Sequence, residues 1–117
     1  MKKTTEKKNP KNIFVISWSA IDTDEPKNSS SGTFHNIFST KKKARQAVMD
    51  EVASLAAQDL DAYDTDEDKV DALGTANVRE LAKKMVLIDQ GMYVECENAI
   101  GVVTQFSIAK YDMNYLK

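Results

Sequence analysis

Asp64, Asp66 and Asp68 alternate within DLDAYDTDEDKVDALG, residues 59–74, and that spacing begins the oxygen-ligand pattern of a calcium-binding EF-hand loop. The pattern then stops. Lys69 stands where the sharp bend needs glycine, and Thr75 stands where a glutamate should supply two oxygens. A loop lacking both holds an ion weakly at best, so no metal site is assigned. What remains is a dense negative segment in which Asp59, Asp61, Asp64, Asp66, Glu67, Asp68 and Asp71 face one cation, Lys69. Two uses fit it. Acids at the start of a short helix meet the favourable end of its dipole, and a row of carboxylates can imitate phosphates or dock on a partner's basic groove.

The opposite charge gathers in TKKKARQ. Lys41, Lys42, Lys43 and Arg45 fall in the first turn of a helix that Thr40 or Ser39 would cap. The helix dipole disfavours cations there by about 0.3–1 kcal/mol each. A folding rule broken without local return is more common at functional surfaces, so these four, with the N-terminal lysines, form an alternative anion-binding site. RNA-binding modules usually interleave aromatics with such cations; Phe34 and Phe38 are near in sequence but fall on a core face.

Other chemistries find little support. His35 and Cys96 are the chain's only histidine and cysteine, and the alternation of their segments places Cys96 on a buried side and His35 opposite the flanking phenylalanines. No thiol–imidazole dyad is expected. A structural zinc site wants four Cys or His ligands. Gly32, Gly74, Gly91 and Gly101 are too scattered for a phosphate-cradling loop. No pair among the many acids is singled out for acid–base work. The expectation is therefore a protein that is not an enzyme, with no catalytic residues, no metal and no cofactor.

These residues sit on a chain of 117, the size of one domain, with an ordinary 42% hydrophobic and 29% charged composition. A lone cysteine makes no intramolecular disulfide, which places the protein in the reducing cytoplasm. The basic start and the run Ile13–Ile21 are not taken as a secretory signal, because Glu6, Ser17 and Ser19 interrupt the pattern. No apolar run approaches the ~20 residues of a membrane span. The net charge of −2 hides a split: residues 1–45 carry ten Lys and Arg against four acids, a balance of +6, which leaves −8 for the remainder.

Residues 1–11 read as a flexible basic tail and 12–117 as a single α+β domain. NIFVISWSAI alternates as a strand, with Phe14, Ile16, Trp18 and Ala20 on one side. DTDEPKNSSSG reads as a long loop, and TFHNIFS as a second strand. Ala44, Ala47, Val48, Val52, Leu55 and Ala56 make a helical stripe. Thr65 with Asp68, and Gly74, bound one or two helical turns in the acidic segment. Asn77 with Glu80 opens a second main helix through Val78, Leu81, Ala82, Met85 and Ile88, although residues 85–88 fit a strand equally well. MYVECE and VVTQFSIAKY close as a hairpin. The sum is an antiparallel sheet of about four strands in two hairpins, with two main helices on one face and Ile13, Val15, Ile21 and Val103 as apolar patches on the other. The functional expectation is a small protein-binding module, an inhibitor or adaptor of the phage or mobile-element type, whose acidic segment occupies a basic surface of a larger macromolecule. The alternative is nucleic-acid binding through Lys41–Arg45 and the tail lysines. The oligomeric state is not legible.

Overall fold

The computed structural model describes residues 12–112; the basic tail 1–11 lies outside them. Along the chain run β1 (Asn12–Asp22), β2 (Ser30–Thr33), α1 (Lys41–Asp61), α2 (Asp66–Leu73), α3 (Val78–Met85), β3 (Val86–Asp89), β4 (Tyr93–Glu97) and β5 (Val102–Asp112). The fold is α+β. Its sheet has the order β2-β1-β5-β4-β3, antiparallel throughout.

Alternation does what it should in β1 and β5. They pair along their full lengths, from Asn12 opposite Asp112 to Asp22 opposite Val102, and this register puts Ile16 beside Ile108 and Trp18 beside Phe106. A one-residue slip would turn that whole set to the other face. Val94 and Cys96 of β4 continue the same layer opposite Phe106 and Thr104. Phe34 packs edge-on against Phe106, ring centres 6.2 Å apart and planes at 88°, an arrangement that the ring quadrupole favours.

α1 closes this layer from above. Its buried residues are Ala44, Val48, Val52, Ala56 and Leu60, each four on from the last. Four residues turn about 400°, so the stripe advances about 40° per step and winds round the helix. It is shared between the sheet and α3, which adds Leu81 and Met85 to the core. Thr40 caps α1 as expected, its Oγ1 accepting from the Lys43 amide at 3.1 Å.

One open reading is decided and one expectation needs correction. The sheet has a fifth strand beside the four or so expected, because of the two readings open for residues 85–88 the strand prevails and α3 does not continue to Ile88. It stops at Met85, and Val86 turns extended to pair opposite Cys96. The apolar, mostly β-branched run Val86-Leu87-Ile88 takes the edge of the sheet instead of a last helical turn. The second strand is Ser30–Thr33, not the segment around Phe34 and Phe38. Gly32 favours the choice: a Cβ there would lie 3.2 Å from three atoms of the Trp18 indole, so glycine lets β2 come this close without displacing the ring. Beyond Thr33 the chain touches β1 at isolated points, where Phe34 donates to the Ile16 carbonyl and Phe38 exchanges hydrogen bonds with Phe14. Both phenylalanines still pack on the core. His35, Asn36 and Ile37 between them are exposed.

Among the described residues, no helix is long and apolar enough to cross a membrane.

Phe106 is 1% exposed and Ile100, at the β4–β5 turn, is 74% exposed. Phe106→Ala should cost about 3–5 kcal/mol, whereas Ile100→Ala should stay within about 0.5 kcal/mol. Urea unfolding of the two variants side by side measures both.

Candidate functional site

α1 is the beam that carries both charged groups. Lys41, Lys42 and Lys43 occupy its first turn, Asp59 and Asp61 its last, and the acidic segment follows directly. At 1.5 Å per residue, 21 residues span roughly 30 Å. The Debye length at physiological salt is about 8 Å, so each end is screened from the other and presents its own field.

Six of the seven acids in this segment are exposed: Asp61, Asp64, Asp66, Glu67, Asp68 and Asp71. Asp66, Glu67 and Asp68 form the first turn of α2, where the dipole favours them. The segment thus runs from the end of α1 through a short connection into α2, with these carboxylates at the surface. Among the described residues, no three His, Cys, Asp or Glu side chains are grouped to hold an ion. Thr65 Oγ1 accepts from the Asp68 amide at 3.1 Å. At the other end Gly74 takes φ 84°, a left-handed cap that suits glycine, and the Lys84 ammonium of α3 lies against it. α2 has caps at both ends but buries none of its residues; only Leu73 packs on the core's flank. Thr75, just beyond, is buried and donates to Glu80 at 2.7 Å while accepting from the Asn77 amide.

Asp59 stands apart from the other six. Half-buried, it accepts from the Ala99 amide at 2.9 Å and so ties the end of α1 to the β4–β5 turn.

The basic end loses one member in the same way. Arg45 forks onto Asp89 with both guanidinium nitrogens, at 2.9 and 3.0 Å, and donates to the Gly91 carbonyl. Asp89 also accepts from the Gly91 amide. The arrangement clamps the β3–β4 turn to α1, and Gly91 sits there at φ 85°. The Arg45 hydrogen bond, with help from the Gly91 amide, holds the Asp89 carboxyl below its ordinary value. Lys41, Lys42 and Lys43 are left exposed, with Lys43 3.5 Å from the Ser39 hydroxyl. Nothing at positions 45 and 89 announces their pairing, since they are separated by 44 residues and only the fold brings them together.

His35 and Cys96 are not brought into one site. His35 is exposed on the loop after β2, while Cys96 is 1% exposed beneath α1. Burial, with the nearby carboxylates, pushes its thiol up to about 11. On the uncovered face, Ser19 donates to Gln105 and Tyr93 donates to Glu95 at 2.8 Å. That hydrogen bond, with some burial, raises the Tyr93 phenol. Ile13 and Val15 lie at one end of this face and Ile21 and Val103 at the other, all half-buried around a polar centre.

No family model, curated protein or solved structure matches the chain.

The folded Asp89 value lies below the unfolded one, so the clamp's contribution is complete above the ordinary 3.8 and is lost as the pH falls through the lower folded-state value. The pair is about one-third exposed, which limits it to about 1 kcal/mol. Acid unfolding followed by circular dichroism should show Arg45→Met less stable than the parent at neutral pH, with the gap narrowing in strong acid to what the Arg45 hydrogen bond to the Gly91 carbonyl contributes. Cys96 should react with a disulfide reagent at least about a hundredfold more slowly in the folded protein than in urea, where the thiol regains its ordinary acidity and access.

Proposed function

We propose that this protein is a non-enzymatic binding module of the inhibitor or adaptor kind, which holds the acidic arm of α2 and the end of α1 against a basic surface of a partner protein. The observation that carries this reading is the construction of α2. A helix of eight residues is marginal alone in water, and most protein helices are held by an apolar face. This one is held by its ends: a threonine cap, three acids on the dipole, a glycine cap and a lysine from α3 at its C-terminus. Such a design holds Glu67 and Asp71 in solvent with only Leu73 committed to the core's flank, directly after Asp61 at the end of α1 and Asp64 in the connection. Fixed charges steer an oppositely charged partner and reduce the ordering cost of docking. Val70, 48% exposed among these acids, adds apolar contact for a partner that desolvates it.

The nucleic-acid alternative loses Arg45, which is engaged with Asp89, and keeps the exposed Lys41, Lys42 and Lys43.

The test uses an oligo-arginine peptide as the basic surface. Two charge-matched variants are compared: one carries Asp61→Asn, Asp64→Asn, Glu67→Gln and Asp71→Asn; the other carries Asp22→Asn, Asp24→Asn, Glu25→Gln and Asp50→Asn. Thr65, Asp66 and Asp68 stay in place in both, and helix content is checked by circular dichroism. Each exposed pair is worth about 0.2–1 kcal/mol, so the first variant should bind about tenfold more weakly and the second nearly as the parent does. Equal loss in the two would reduce the effect to net charge and end the proposal.

A further inference from the structure

Glu51 and Leu55 of α1 face Trp18 and Ala20 of β1 and Val102 and Thr104 of β5 across an opening. A groove of about 640 Å³ remains there, walled by Trp18, Phe34 and Phe106 on the sheet side and by Leu55 on α1. The walls are set by features already described: Gly32 seats the indole, and the edge-on contact with Phe106 fixes the Phe34 ring. Two partly exposed aromatic rings, Trp18 and Phe34, thus face an opening wide enough for a small molecule, with the buried Phe106 beneath them.

The polar groups around the opening share one electrostatic character. Glu51 projects from α1 as the only carboxylate in the lining, and no lysine or arginine lies there. Asn98 directs its side-chain oxygen into its own turn, where the Ile100 and Val102 amides use it. His35 is the other titratable group. A cation entering would meet aromatic faces and one uncompensated negative charge; an anion would meet that same charge as repulsion.

We propose that this groove binds a small organic cation, an ammonium group on an aromatic body, with the body against the Trp18 and Phe34 rings and the charge toward Glu51. Ring quadrupoles attract cations over their faces, and aromatic walls with a nearby carboxylate are the usual recognition set for such ligands. The inference is independent of the acidic arm, because none of its carboxylates lines the groove.

Trp18 is the sole tryptophan of the chain, so its fluorescence reports the site directly. The full chain is titrated with 2-phenylethylammonium, 2-phenylethanol and 3-phenylpropionate, which share a body and differ in charge. The ammonium should quench saturably and bind about tenfold more tightly than the alcohol, with the carboxylate weakest. Glu51→Gln, at an exposed helix position that folding tolerates, should remove most of the ammonium's advantage and leave the alcohol unchanged. The absence of saturable quenching by any of the three would overturn the proposal. So would equal affinity for all three, or an ammonium advantage that survives in the Glu51→Gln protein.

Discussion

The seam between α1 and the β1–β5 pair is the contact on which the rest of the molecule depends. Ala44, Val48, Val52 and Ala56 are at most 1% exposed, and the residues beneath them, Ile16 and Phe106, are equally dry. Small side chains at both ends of that stripe let the helix sit close to the sheet, where dispersion and apolar burial are strongest. Because the seam is long, the helix is long. Its two termini therefore lie far apart, and any charge placed at them is held apart as well.

Charge on α1 runs against its own dipole at both ends, with lysines in the first turn and aspartates in the last. Each such charge is unfavourable by a fraction of a kcal/mol, which a well-buried seam can carry. α2 follows the rule that α1 breaks, with acids in its first turn and Lys84 of α3 at its C-terminal cap. The contrast separates two causes. Charge on α2 is compatible with local folding, whereas the lysines of α1 have no folding explanation within the described residues, apart from the side contact of Lys43 with Ser39.

Much of the architecture was legible because local signals and tertiary packing agreed. The Thr40 and Thr65 caps, the left-handed Gly74 and the alternation in β1 and β5 are each set by neighbours in sequence, and each reappears in the structure. The open reading and the one correction both fall where local signals were weak. Val86-Leu87-Ile88 is too short to declare its own period, and the open edge of β4 decided it. Ser30–Gly32 lacks strand-forming side chains, and the indole of Trp18 beside Gly32 decided that. The charged groups were legible as groups but not as individuals. Asp59 and Arg45 look like their neighbours in sequence, and only long-range contacts distinguish them. Glu51 carried no signal at all, because its meaning lies in the rings that surround the opening beside it.

Those two exceptions have a common logic. Arg45, near the start of α1, holds the β3–β4 turn through Asp89 and Gly91; Asp59, near the end of α1, holds the β4–β5 turn through the Ala99 amide. The two turns bracket β4, so the strand is fastened at both ends to the same helix that covers its buried face. Each charged end gives up one member to this fastening and keeps the others exposed. The pinned member fixes the helix terminus against the sheet, and a fixed terminus is what allows the remaining charges to hold a defined position in solvent. Were Arg45 and Asp59 exposed like their neighbours, the ends of α1 could fray as helix termini ordinarily do, and the carboxylates and ammonium groups would present an average field rather than a shaped one.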